Sequence, residues 1–326
     1  MKRVILAAAA LALIVGPAAA QTKTLKLLSS WDRTNYPALE GAVVFQEELK
    51  KASGGKLDIE IKGPETVPPF QQLQPVSAGV FDLLHTAGVY HAGSKGLALV
   101  VDAIDPGPEK RRSSGVFDYL DQYYQKHNKV TLVGLTVATP QGYNFVLREP
   151  LTADGDFKGR KIRGTQSYFG VIKLLGGTPV VIAGPELYSS LEKGVVDGAA
   201  WTASGIVTMK LNEVAQYRVR PTFGNSTLPL LANAAAWSKL TAEERKLMSD
   251  AAKRTEAIML KRGDETLARE DAELDKLGMK YSRFTPERAD QVRRTWVTTL
   301  WEVAEQCCAD GAKELHAIAL KANLTN

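Results

Sequence analysis

Between residues 24 and 85 the hydrophobic period switches repeatedly between two and about 3.6, which restricts the chain to an architecture of alternating strands and helices. Thr24 to Trp31 alternates, with Leu25, Leu27 and Trp31 on one face and Lys26 and Leu28 on the other. Pro37 then opens a helix whose stripe is Ala42, Phe45, Leu49 and Ala52, and Gly54-Gly55 ends it. Leu57 to Lys62 alternates again. Phe70 to Ser77 reads as a helix, and Val80 to His85 as a short apolar strand. Consecutive strands separated by helices pair in parallel, because a hairpin leaves no room for the helix.

The rhythm restarts in the middle of the chain. Val130 to Val137 and Phe145 to Leu147 read as buried strands. Gly159 to Arg163, Pro179 to Ile182 and Val195 to Trp201 read as strands too. They are separated by helices over Ser167 to Leu175 and Pro185 to Lys193. A second α/β unit therefore occupies roughly 144 to 228. The last third is mainly helical. Thr241 and Glu244 form a capping box before a long helix toward Leu277, and Thr285-Pro286-Glu287 opens another. Two α/β units and a helical tail predict two lobes with a cleft between them, the usual place for a small ligand.

The N-terminus restricts where such a chain works. Lys2 and Arg3 precede an apolar run from Val4 to Val15, and Ala18-Ala19-Ala20 closes it, the order of a secretory signal peptide with Gln21 as mature start. The run is too short to anchor the chain across about 30 Å of hydrocarbon, so the mature protein is expected to be periplasmic and not membrane-embedded. The charge of +5 becomes about +3 without Lys2 and Arg3. Basic residues are interleaved with acids, as in Glu243-Glu244-Arg245-Lys246, which excludes a nucleic-acid stripe. The 2 cysteines, Cys307 and Cys308, are neighbours and are expected to be reduced or partly buried thiols on a helix.

No G-x-S-x-G elbow, H-E-x-x-H pair or Walker loop is present. Gly88 to Gly93 lacks the ending of a dinucleotide loop. His85 and His91 have no carboxylate placed by sequence to orient them and read as satisfied polar contacts, and no zinc spacing joins the 4 histidines. Neither cofactor nor metal is expected, and binding is favoured over turnover. An exported hydrolase using His85 or His91 is the contrasting reading.

One stretch is specific. Phe157-Lys158-Gly159-Arg160-Lys161-Ile162-Arg163 leads through Gly176-Gly177-Thr178-Pro179 to Glu186-Leu187-Tyr188-Ser189-Ser190-Leu191, ending at Val196-Asp197-Gly198. It resembles the solute-binding proteins of tripartite ATP-independent periplasmic (TRAP) transporters, the dicarboxylate-binding, DctP-like type. Leu73 to Asp82 and Trp237 to Arg245 are similar to two further family segments, in the same order. The resemblance implies a type II-like two-lobed binding fold, with discontinuous lobes joined by crossing strands and a long helix. It places residues 21–143 with about 229–271 in lobe I, and 144–228 with about 272–326 in lobe II. It implies a receptor, not an enzyme, that hands an organic acid to the membrane permease subunits.

The resemblance also names residues. Arg163 stands where the family's arginine pairs with the ligand carboxylate, a role suited to a guanidinium with two parallel donors and a permanent charge. Trp201 falls at a ligand-contact offset. The position before it is Ala200, where a keto-acid-binding branch has a metal-holding Glu. Asn144 replaces a second arginine of sialic-acid binders. Tyr90 is expected as a hydrogen-bond donor, and Trp31 and Tyr168 as cleft walls. One cation with aromatic neighbours points to a monocarboxylate, α-keto, α-hydroxy or aromatic; a C4-dicarboxylate receptor of the same family and an ABC-transporter receptor are the alternatives.

Overall fold

The computed structural model describes residues 22–325; the expected signal peptide, 1–20, lies outside them. Two sheets divide the strands. The first runs β2-β1-β3-β10-β4, from β1 (Lys23–Ser29), β2 (Leu57–Lys62), β3 (Leu83–His85), β4 (Val130–Thr139) and β10 (Ser226–Asn233). The second runs β11-β9-β5-β8-β6-β7, from β5 (Tyr143–Leu147), β6 (Lys161–Arg163), β7 (Thr178–Val180), β8 (Gly198–Thr202), β9 (Tyr217–Arg220) and β11 (Lys280–Arg283). The chain crosses from the first sheet to the second after Thr139 and returns between Arg220 and Ser226.

The helices in chain order are α1 (Tyr36–Ala52), α2 (Leu73–Ser77), α3 (Pro108–Ser113), α4 (Val116–Asn128), α5 (Phe169–Leu174), α6 (Leu187–Glu192), α7 (Leu211–Val214), α8 (Ala234–Ser238), α9 (Ala242–Lys276) and α10 (Pro286–Lys321). The parallel pairings β1–β2, β1–β3, β6–β7 and β6–β8 follow the strand–helix rhythm. Alternation along β1 separates the cores. Leu25 and Leu27 join a cluster with Phe45 and Leu49 of α1, while Leu28 joins a larger cluster on the opposite face. Segments expected as single helices begin as 3-10 turns, at Pro69–Gln71, Gln166–Tyr168 and Gly184–Glu186.

Strand β10 carries no alternation, and all eight of its residues are buried. It pairs antiparallel with β3 and with the ten fully buried residues of β4, so both faces of the pair are covered. Helix α9 has the expected capping box, complete in both halves. It spans both sheets. Near its middle, Glu256 accepts from the Leu135 backbone N–H at 2.7 Å and pairs with Arg112. Near its end, Glu270 accepts from the Val207 N–H at 2.8 Å, while Asp271 and Asp275 pair with Arg218 and Arg220 of β9.

The expectation of two thiols is corrected: Cys307 and Cys308 are joined by a disulfide. Linking neighbouring side chains pulls the backbone off helical geometry, and Cys308 sits at φ −140° and ψ 35° inside α10. The helix bends sharply there. Trp301 stacks on His316 with ring centroids 4.1 Å apart, whereas fifteen residues of straight helix span roughly 22 Å.

Candidate functional site

Arg163 ends β6, between β7 and β8. Its Nε donates to the Ile182 carbonyl at 2.9 Å and its Nη1 to the Ala200 carbonyl at 3.0 Å. Its Nη2 is buried without a partner, and the residue is only 1% exposed. The guanidinium lies over the Trp201 ring, 4.7 Å from the centroid. Burial pulls its pKa below the usual arginine value, with the hydroxyls of Tyr90 and Tyr168 acting against that; a guanidinium remains charged across the physiological range all the same. Among the described residues no carboxylate lies within ion-pair distance of it. The other buried arginines are satisfied differently. Arg218 and Arg220 pair with Asp271. Arg111 donates to three carbonyls, the Thr227 hydroxyl and the Asn225 side chain.

The first sheet supplies the facing wall. Trp31 follows β1 and sits 6.2 Å from Tyr90, centroid to centroid, with its edge toward His85 at 5.6 Å. Tyr90, in the 3-10 segment Gly88–Ser94, also meets Phe70 edge-on at 4.9 Å. Burial raises the Tyr90 pKa and the nearby Arg163 charge lowers it, so the hydroxyl is a neutral donor. Trp31, Asn35 and Tyr90 face Gly184, Trp201 and Met209 across a cavity of about 20 Å³. That volume holds little more than a water, so the two walls are closed on each other. Gly184 is a close-approach position: a Cβ there would come within 2.9 Å of the Trp201 ring.

Trp31, Tyr90 and Trp201 line that cavity together; Arg163 does not line it but lies against the Trp201 ring and close to Tyr90. Tyr168 is near enough to influence Arg163, but its ring belongs to an aromatic cluster, 5.3 Å from Tyr143 and 5.2 Å from Trp296. Asn144 stands behind the wall. Its amide nitrogen donates to the Trp201 and Thr202 carbonyls, and its oxygen accepts from Arg220 at 3.1 Å. Both amide hydrogens are thus taken up in positioning β8, leaving none for a carboxylate. Asp32 caps the turn Arg33–Asn35 by accepting from the Thr34 N–H.

The histidines are held neutral. Burial lowers the pKa of His85 and of His91 to about 3. His85 Nε2 contacts Thr136 at 3.0 Å, and His91 Nε2 contacts Thr86 at 2.9 Å, which contacts Ser30 in turn at 2.7 Å. Among the described residues no group of His, Cys, Asp and Glu is arranged to hold a metal ion.

Sequence reasoning missed two features. Asn35, 5% exposed, lies in the cleft with both amide atoms buried and unpartnered. Asp102 ties the two sheets at the crossing: it accepts from the Tyr143 hydroxyl at 2.6 Å and from the Thr227 N–H at 2.8 Å, while its carbonyl accepts from Trp296. The first had a signal, an asparagine at a helix start; the second had none, because its partners are distant in sequence.

Two sheets closing on a buried, partly unsatisfied arginine define a two-lobed solute-binding protein. The chain matches the sequence model for bacterial extracellular solute-binding protein, family 7, over residues 28–306, and it belongs to that family. It is 24% identical over 250 residues to the monocarboxylate 2-oxoacid-binding periplasmic protein of Nostoc sp., covering 73% of this chain and 68% of the relative. It is 26% identical over 231 residues to the C4-dicarboxylate-binding periplasmic protein of Rhodobacter capsulatus, covering 64% of this chain and 65% of the relative. In fold it is similar to an extracytoplasmic solute receptor of Bordetella pertussis that binds pyroglutamic acid, with TM-score 0.78, 19% identity, and 92% of this chain and 100% of the other covered. A TRAP solute-binding protein of Desulfovibrio salexigens with bound orotic acid is also similar, with TM-score 0.78, 17% identity, and 92% and 98% covered.

Proposed function

We propose that this chain is a periplasmic receptor that captures a small organic monocarboxylate, an α-keto or α-hydroxy acid above all, and delivers it to a TRAP permease without turning it over. The observation that carries the reading is Arg163 Nη2: a buried cationic donor with no carboxylate and no partner at full hydrogen-bond geometry, its neighbours being the Trp201 ring and the Tyr90 hydroxyl. A charge taken out of water is stabilised by a counter-charge, and a ligand carboxylate supplies one with matching fork geometry. The monocarboxylate preference is supported by Arg220, the arginine bonded to Asn144, being already paired with Asp271. The 2-oxoacid-binding relative agrees with it.

Lobe boundaries are taken at the three crossings between the sheets, after Thr139, between Arg220 and Ser226, and along α9. A cavity of about 20 Å³ is far below the roughly 300 Å³ at which small-molecule pockets begin, which supports a ligand admitted by opening of the two walls and held between them. A ligand touching both lobes favours the closed form by its differential affinity. The test is a thermal-shift and calorimetry panel of pyruvate, 2-oxoisocaproate, phenylpyruvate, lactate and succinate, each with and without chelator, with product formation followed by NMR. Binding of a keto or hydroxy monocarboxylate without turnover is expected. No response to any acid, turnover, or tightest binding to succinate refutes the reading in whole or in its ligand class.

A further inference from the structure

Asn35 is the N-cap residue of α1, a place where an asparagine oxygen ordinarily accepts from a backbone N–H in the first turn. It makes no such bond here. Pro37, at the second helical position, has no N–H to give. The side chain instead lies over Gly205, where an added Cβ would stand 2.6 Å from its Oδ1. Both amide atoms are buried and unpartnered. The cavity they line also takes in Trp201, whose indole Nε1 is buried and unpartnered as well. Such groups are normally satisfied, because an unpartnered buried donor or acceptor is destabilising. These three atoms come from opposite walls of one cleft: a donor and an acceptor from the first lobe, a donor from the second.

We propose that Asn35 and Trp201 Nε1 together recognise a second polar group on the ligand, one that both accepts and donates hydrogen bonds. A carbonyl or hydroxyl oxygen accepts from the indole N–H and from Asn35 Nδ2, and an amide N–H or hydroxyl donates to Asn35 Oδ1. The substrate class narrows to compact monocarboxylates carrying an amide, lactam or hydroxyl. Compactness follows from the Arg163 guanidinium lying 4.7 Å from the centre of the Trp201 ring. Asn35 thereby acts in specificity, whereas Arg163 acts in affinity for any carboxylate; the inference rests on the reading of Arg163 as the carboxylate site.

The experiment uses two acids of nearly equal shape, succinamate and 4-methylpentanoate, which differ in having an amide or an isopropyl group. Calorimetry is done on the mature protein and on Asn35→Leu and Asn35→Ser. The unaltered protein is expected to prefer succinamate by about tenfold or more, the product of two or three ordinary hydrogen bonds. Asn35→Leu is expected to abolish that preference while leaving 4-methylpentanoate binding unchanged or tighter; Asn35→Ser, less disruptive to folding, should reduce it partly. Failure of the unaltered protein to bind succinamate, equal affinity for both acids, or a preference surviving in both variants overturns the inference. A preference surviving with only the melting temperature altered means that the amide holds a buried water. If the keto-acid panel binds but this pair shows no preference, the inference alone fails; if no carboxylate binds, the functional reading fails with it.

Discussion

Replacing Arg163 by Met separates a ligand-binding arginine from a structural one, because the two roles predict opposite patterns in two measurements. The ligand-free protein loses two hydrogen bonds from a charged donor, to the carbonyls of Ile182 and Ala200, each worth about 1.5–3 kcal/mol. It also loses a buried charge with no counter-charge, whose desolvation costs several kcal/mol. Met keeps the apolar stem over Trp201. These effects offset to within about 2 kcal/mol, and at about 2–4 °C per kcal/mol the melting temperature of the ligand-free protein moves by less than roughly 8 °C. Ligand binding suffers differently. Removing one partner of a buried ion pair costs about 3–5 kcal/mol, roughly 150-fold to 5000-fold in Kd. Scanning calorimetry with and without the tightest acid of the panel reads both effects. A variant that melts more than about 10 °C lower, yet still gains the same ligand-induced rise as the parent, would show that Arg163 holds the fold and not the ligand.

Asp102 predicts a pH dependence. Burial, opposed by the Tyr143 and Thr227 hydrogen bonds and the Arg111 charge, raises its pKa from 3.8 to about 7. The folded state then holds a proton between about pH 4 and 7 that the unfolded state has released, so this group's contribution to stability is fully present below pH 4 and falls as pH rises through 7, by about 4 kcal/mol at most. Asp102→Asn should flatten that fall in denaturant titrations; parallel curves for the two proteins between pH 4 and 8 would rule the assignment out. Gly205→Ala puts a side chain at φ +88° and 2.6 Å from Asn35 Oδ1. Affinity is expected to drop at least tenfold while the ligand-free scattering profile stays as it was, and unchanged affinity would show that the lobes do not close over Gly205. Mass spectrometry of the unreduced peptide spanning Cys307 and Cys308 should find no alkylatable thiol; alkylation at both without a reductant would contradict the bond between them.

Local signals carried much of the fold. Pro37, the Thr241–Glu244 box and the Thr285–Pro286 pair act on their own helices, and each observed helix starts within a residue of its signal. Alternation located β1 and β2 because each has one wetter face. It had nothing to offer for β10, buried on both faces, or for residues 97–128, whose 3-10 turn and α4 pack against α10 and whose α3 packs against α9, both far along the chain. In the cleft, the positions of Arg163 and Trp201 were legible through the family motif, and those of Trp31 and Tyr90 through their places after strands. Asn144 was read for its polarity, but its hydrogen bonds depend on Arg220, 76 residues away. The bond between Cys307 and Cys308 runs against the ordinary preference of neighbouring cysteines, so spacing argued the other way.

Helix α9 is fastened to both sheets by buried glutamates. Glu256 grips the first sheet, and Glu270, 14 residues later and so roughly 21 Å along the axis, grips the backbone at Gly205, Ile206 and Val207. That second grip holds the very loop that covers Asn35 at the rim of the cleft. One continuous helix thus joins the backbone of β4 to the 205–207 loop.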